Sequence, residues 1–268
     1  MRKFLCSLLS VCLVCGCAAA DVKVGFLTKL NITEDEYKAL VMDERKTVGW
    51  NLLSSKHEGG EAFVFYDSLM LMQMALNAGE IDEAALPKAV AEYVLNTTPG
   101  FTVASVEQVR PVALVFGFRD AKLRDRFNEA LHGIKRDGTL LALQEKYLSE
   151  PGIKEPEPVK MERYSGAETI RVAVTGDLPP IDFIATDGEP AGFNTAVLAE
   201  LGKALQANIR FINVEAGARN AVLASGRADA VFWYRYTQGA EWQVDAPEGV
   251  LLSEPYYTWD KFLYIRKK

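Results

Sequence analysis

The sequence predicts an α/β protein of two lobes with a cleft between them. Three observations carry this. The first is an internal repeat: Leu76-Asn77-Ala78-Gly79-Glu80-Ile81-Asp82 returns as Leu223-Ala224-Ser225-Gly226-Arg227-Ala228-Asp229, an offset of 147 residues (76 to 223). Upstream, Val22-Lys23-Val24-Gly25-Phe26-Leu27 returns as Ile170-Arg171-Val172-Ala173-Val174-Thr175, an offset of 148 (22 to 170). Each later motif reads as a helix end, a Gly able to take the left-handed C-terminal position, and the approach to a strand. The second observation is the alternation of short strand-like runs with helical periodicity, which argues for parallel strands covered by helices. The third is length: 268 residues suit two cores better than one. Clefts between lobes are where small molecules bind.

Composition narrows the class. With 49% hydrophobic and 25% charged residues the chain reads as an ordinary globular protein. A formal net charge of −6 lacks the basic surface of a nucleic-acid binder, so no nucleic acid is expected as partner.

The first twenty residues read as an address. Met1-Arg2-Lys3 is basic, and residues 4–14 form an apolar run of signal-peptide length. Val14-Cys15-Gly16-Cys17 resembles a bacterial lipobox, which implies cleavage before Cys17 and lipid attachment to its sulfur. The alternative is ordinary secretion with cleavage after Ala18-Ala19-Ala20. Both imply an exported product. All four cysteines (Cys6, Cys12, Cys15, Cys17) lie in this segment, and the two histidines, His57 and His132, are far apart. A zinc site is therefore not expected. Removing Arg2 and Lys3 would take the net charge from −6 to −8.

Residues 22–27 form the first strand. Thr33-x-x-Glu36 is a capping box that opens a helix over about 34–43. Residues 54–60 are a polar loop, and Ala62-Phe63-Val64-Phe65 a buried strand. Asp67 or Ser68 caps a helix ending at Gly79, and its Met70, Met72 and Met74 read as core filler. A strand starts over 81–86, followed by a helix over 87–95. The continuous apolar run Val112-Ala113-Leu114-Val115-Phe116 marks 111–118 as a buried parallel strand. Leu123, Phe127, Leu131 and Ile134 recur at helical spacing, and Thr139 caps a further helix ending near Tyr147. Residues 150–166, with Pro151, Pro156 and Pro158 among charges, read as a linker. Beyond the strand at 171–175, residues 177–183 form a rigid loop. Thr195 caps a helix with Val197, Leu198, Leu201 and Leu205 on one face. A strand over 209–214, a helix over 218–225 and strands over 229–233 and 262–265 complete the chain.

One set of motifs is Gly176-Asp177-Leu178-Pro179-Pro180, Phe183, Ala191-Gly192-Phe193, Leu223-x-Ser225-Gly226-x-x-Asp229 and Ser253-Glu254-Pro255-Tyr256-Tyr257. A second set, earlier in the chain, is Tyr66-Asp67-Ser68, Leu76-x-x-Gly79-x-x-Asp82, Phe127-Asn128-Glu129-Ala130-Leu131 and Asp137-Gly138-Thr139-Leu140. Together they resemble the type II periplasmic solute-binding proteins that serve amino-acid ABC transporters, family 3-like, in a shuffled order: the first set is similar to the family's first part and the second set to its second part. The resemblance implies a circularly permuted, two-lobed periplasmic-binding-protein-like type II fold with parallel-rich mixed sheets joined by two hinge strands. Permutation is tolerable because chain ends commonly lie together at the surface. It also implies one lobe from 21–109 plus 258–268, the other from 110–257, a linker over 150–169, and hinge strands near 110–118 and 258–265 that let the cleft close.

Ligands of open α/β sheets bind beyond the carboxyl ends of strands, where helix N-termini favour anionic groups. That selects Asp177, Asp182, Phe183 and Asn194 from the larger lobe, and Trp233, Tyr234, Arg235 and Tyr236 as an aromatic and cationic wall. Lys29, Asn31, Tyr66, Asp67 and Ser68 face them from the smaller lobe. Phe183 has a plug reading beside the cleft reading, and Asp67 and Ser68 have a plain capping reading. The family's Thr-x-x-Arg, whose Arg grips a carboxylate through a two-pronged bond, is Thr237-Gln238-Gly239-Ala240 here. Arg235 or Arg219 is then the substitute. The aspartate the family often uses for an amino group corresponds to Pro87.

The function this implies is an extracytoplasmic, lipid-anchored binding protein, monomeric, that captures a small polar, amino-acid-like solute for the membrane permease of an ABC transporter. Two other classes stay open: an exported dehydratase-like enzyme on the same fold, and a ligand-sensing receptor module. Walker loops, Gly-x-Ser-x-Gly elbows and His-Glu-x-x-His helices are absent from the sequence, so neither a cofactor nor catalysis is expected.

Overall fold

The structure, a computed structural model, describes residues 21–27, 61–149, 158–237 and 246–268, with Asp35 and Ala39 as isolated helical positions. The leader with Cys17, the loop at 54–60, most of the helix expected at 34–43, and the candidates Lys29 and Asn31 lie outside the described residues.

Parallel strands stand at both ends of one nine-stranded sheet, with antiparallel strands in its middle. One group is β1 (Val22–Leu27), flanked in parallel by β2 (Glu61–Tyr66) and β3 (Glu83–Pro87). The other is β5 (Thr169–Val174), flanked in parallel by β9 (Asn208–Asn213) and β10 (Ala230–Thr237). Two long strands join them: β4 (Phe101–Phe118) and β12 (Tyr257–Lys267) pair antiparallel with each other. β12 also pairs with β3, and β4 with β10 and with the short β11 (Leu251–Leu252). A separate antiparallel sheet holds β6 (Asp177–Leu178), β7 (Asp182–Ile184) and β8 (Pro190–Ala191).

The sequence repeat is a structural repeat. Asp82 accepts the Lys23 N–H through Oδ2 at 2.8 Å and donates its own N–H to the Lys23 carbonyl at 2.9 Å. Asp229 does the same to Arg171, with both bonds at 2.8 Å. In each copy a Gly in the left-handed region, Gly79 (φ 75°) or Gly226 (φ 70°), turns the chain from helix toward that aspartate.

The helices cover the sheet. They are α1 (Leu69–Ala78), α2 (Lys88–Thr97), α3 (Ala121–Arg136), α4 (Thr139–Gln144), α5 (Gly192–Leu205) and α6 (Arg219–Ala224). A π-helical turn, Glu145–Ser149, extends α4. α3 buries Phe127, Leu131 and Ile134 of the predicted stripe and Ala130 besides, while Leu123 is half-buried. Phe127 meets Phe116 and Phe118 of β4 edge-on, with ring centroids 5.5 Å and 4.9 Å apart. Losing such a buried ring costs about 3–5 kcal/mol.

Several local expectations are corrected. β4 begins ten residues earlier than the apolar run suggested, because residues 101–110 form half-exposed strand with no clean alternation. Its apolar half is antiparallel to both neighbours; burial on two faces, not parallel pairing, makes it continuously apolar. β2 is half-buried, since it stands at the sheet edge. Only Met72 fills the core; Met70 and Met74 are 65% and 60% exposed, because α1 packs through Leu69, Met72, Ala75 and Leu76. Thr139 and Thr195 are not caps. Gly138 holds that position for α4, and Asp137 Oδ1 accepts the Thr139 N–H at 2.9 Å. α5 starts at Gly192, and the Thr195 hydroxyl donates back to the Ala191 carbonyl at 3.1 Å. Gly192 has φ 85°, and a Cβ there would stand 2.5 Å from the Pro180 carbonyl oxygen. Only glycine suits that start.

Of three ladder irregularities along β4, two lie beside the middle of the sheet. In β10, Val231 pairs with Gly117 and Tyr234 with Val115, so Phe232 and Trp233 together oppose Phe116. In β4, Val112 pairs with Trp259 and Gln108 with Lys261, so three residues, including Pro111, stand against Asp260. Proline has no N–H for a ladder and is confined to such interruptions within a sheet.

Candidate functional site

A cavity of about 750 Å³ opens where the carboxyl ends of β1, β5 and β9 meet the middle of the sheet. On one side it is lined by Leu27, by Asp67, Ser68 and Leu69 at the start of α1, and by Pro87 of β3. On the other side stand Thr175, Asp177 and Leu178 after β5, Glu215 after β9, Arg219 at the start of α6, and Trp233 and Arg235 of β10. Trp259 and Phe262 of β12 complete the lining.

The bulge in β10 sets this wall. Side chains alternate along a strand, so adjacent residues cannot share a face unless the ladder slips. Phe232 and Trp233 occupy the slip; beyond it Trp233 and Arg235 reach the cavity, while Tyr234 and Tyr236 pack in the cluster on the opposite side with Val115 and Val231. The four-residue wall read from the sequence is thus a two-residue wall. Tyr234 is fully buried, with its hydroxyl donating to Asn220 Oδ1 at 2.7 Å.

Trp233 is held from its edge and its face. Its Nε1–H donates to Asp182 Oδ2 at 2.9 Å. The Arg219 guanidinium lies 4.3 Å from the ring centroid and donates to the Trp233 carbonyl; the Arg235 guanidinium lies 5.6 Å from the ring. Arg219 and Arg235 are 1% and 7% exposed, so both cations sit in a low-dielectric wall where a ligand anion is favoured more than in water.

Asp182 lies behind the wall, 1% exposed. Burial pushes its carboxyl up to about 6, against the lowering effect of its bond from Thr175; the nearby Asp177 charge adds to the rise. The Thr175 hydroxyl is 2.6 Å from Asp182 Oδ2 and 2.7 Å from Asp177 Oδ1. One hydroxyl carries one hydrogen. Both contacts are hydrogen bonds only when a carboxyl also holds a proton, and the raised Asp182 is the group that does so most readily.

At the facing wall, Ser68 accepts the Leu71 N–H at 3.3 Å and caps α1, keeping its O–H as a donor. The cap and the lining role coincide in this residue. Of the other candidates, Phe183 turns to Tyr93 of α2, with centroids 6.5 Å apart. Asn194 is fully buried beside the Tyr256 hydroxyl, and Tyr66 packs on the main core. The cavity therefore gathers Asp67, Ser68, Asp177, Arg219, Trp233 and Arg235, with Asp182 directly behind. Sequence reasoning missed Thr175, Trp259 and Phe262. Pro111 inside an apolar strand was the available signal that the β4–β12 ladder slips beside Trp259.

Residues 170–268 match the family model of bacterial extracellular solute-binding proteins, family 3. The match covers 99 of the 268 residues, from β5 to the end of the chain, and the part before β5 lies outside it. No curated protein matches the chain by sequence. Among solved structures, it is similar to the zinc-bound ligand-binding component of an ABC-type import system from Staphylococcus aureus (11% identity, 92% of this chain and 66% of that one, TM-score 0.45). It is also similar to the periplasmic aliphatic sulphonate-binding protein SsuA from Escherichia coli (12% identity, 92% and 61%, TM-score 0.39). A third is the GluR0 ligand-binding core in complex with L-glutamate (15% identity, 94% and 86%, TM-score 0.44). The chain spans less than two thirds of the length of the first two. Among the described residues no helix is long and apolar enough to cross a membrane.

Proposed function

We propose that the protein is an exported solute-binding protein that captures a small, carboxylate-bearing solute in this cavity and hands it to the membrane permease of an ABC transporter. The observation that carries the reading is the pair Arg219 and Arg235, buried around Trp233 in the cavity wall, where the family's usual arginine position is not an Arg. Lobes of 21–109 plus 258–268 and of 110–257 would close on the ligand about β4 and β12. The pairing of these two strands from Tyr257 to Lys267 supports that division. The reversed order of the parts is then a circular permutation, with residues 150–169 joining the family's usual ends. Cys17 would carry the lipid anchor, and the protein would act as a monomer.

A thermal-shift screen of amino acids and organic acids tests the binding reading. A ligand at about 100 times its Kd should add about 2.7 kcal/mol of stability. No shift with any carboxylate refutes it, and turnover of a hit would put an exported enzyme in its place. Cys17→Ser should move the protein from the membrane to the soluble fraction; retention at the membrane rules out the anchor.

A further inference from the structure

We infer that the ligand is an aromatic monocarboxylate, its ring lying against Trp259 and Phe262 and its carboxylate facing Arg235 and Arg219. This rests on the reading that the cavity binds a small solute.

Trp259 and Phe262 stand three apart on β12, a spacing that strict alternation sends to opposite faces. The ladder slips between Trp259 and Lys261, and both residues line the cavity. In β10 the second slip turns Trp233 to the same cavity. Bulges concentrate where a side chain must be re-aimed beside a site. Here two of them, one in β10 and one in β4 opposite Asp260, border a cavity lined by three aromatic side chains. Leu27, Leu69 and Leu178 extend the apolar part of the lining. Trp259 is 6% exposed, and its indole N–H has no acceptor among the described residues. A buried donor without a partner is costly, and an acceptor on the ligand would satisfy it.

The two buried arginines offer a partner to an anionic end. Two arginines line the cavity together with Asp67, Asp177 and Glu215. Those three acids oppose a second negative charge, so a monocarboxylate suits the site better than a dicarboxylate or a phosphate dianion. A planar ring is the body that both indole and guanidinium faces favour through stacking.

The test is calorimetric titration of the full chain with 3-phenylpropionate, 2-phenylethanol, succinate and L-glutamate. The expected result is that 3-phenylpropionate binds at least tenfold tighter than each of the others. Phe262→Leu, which keeps an apolar side chain at a half-buried position, should weaken 3-phenylpropionate several-fold; Arg235→Gln should weaken it tenfold or more. Succinate or glutamate binding as tightly as 3-phenylpropionate overturns the aromatic assignment and leaves the solute-binding reading standing. Undiminished affinity in both variants overturns the assignment to this cavity. Failure of every carboxylate to bind the unaltered chain overturns both readings.

Discussion

Asp182→Asn removes a carboxyl, directly behind the cavity wall, whose proton affinity burial raises. Asp182 titrates near 3.8 when unperturbed and is pushed up to about 6 in the fold. The folded state therefore holds its proton more tightly than the unfolded chain. The stabilisation this gives is complete below pH 3.8 and is lost as pH rises through about 6. A rise of that size corresponds to about 3 kcal/mol. Asparagine keeps an oxygen for the Trp233 and Thr175 bonds and cannot titrate. Its amide nitrogen would replace Oδ1, which has no partner among the described residues, at a pH-independent cost of about 1–3 kcal/mol. Near pH 7 the two costs nearly cancel, so the variant should be about as stable as the parent; near pH 4 the parent should be clearly the more stable. Urea unfolding followed by tryptophan fluorescence from pH 4 to pH 8 measures the difference, and other carboxylates drop out because both proteins carry them. Parallel stability curves across that range would refute the reasoning.

Two further outcomes follow from particular contacts. Gly192→Ala must force φ 85° on a residue with a Cβ and press that atom to 2.5 Å from the Pro180 oxygen, so urea denaturation should show a loss of about 2–4 kcal/mol; a loss below 1 kcal/mol would mean the loop yields. Tyr236→Phe alters the sheet face turned away from the cavity, and ligand affinity by calorimetry should stay within about twofold. A tenfold loss would show that the alternation assigned to β10 is wrong.

The strands, helices and repeat were legible because they rest on local rules. Gly79 and Gly226 signal their own conformation, and Asp82 and Asp229 recur at matched distances from the strands they clamp. The chemistry of Arg219, Trp233 and Arg235 was also legible, as a cluster of cations and rings after a buried strand. Their orientation was not. A bulge is a property of two strands at once: Phe232 and Trp233 share one partner only because Phe116 arrives from more than a hundred residues away. No reading of β10 alone can tell whether Trp233 or Tyr234 faces the cavity. Trp259 and Phe262 were missed because their place beside the cavity depends on how β12 lies against β3 and β4, strands from far away in the chain.

The burial of two ionisable side chains around one indole is better explained by the proposed site than by stability. Asp182 and Arg219 are each 1% exposed; one holds the Trp233 N–H and the other covers its face. Buried ionic groups recover at most a part of their desolvation cost, and apolar residues of the same volume are often as stable or more so. A wall meant only for packing would gain nothing from them. A wall meant to present a ring and a cation in fixed register gains a great deal, because an anchored indole cannot turn away from the guanidinium stacked on it. The same logic accounts for the slip in β10: a regular strand would put Tyr234 and Tyr236 on this face, two rings with no cation between them. One irregular ladder position brings Arg235 in beside Trp233, at the cost of a single backbone interruption.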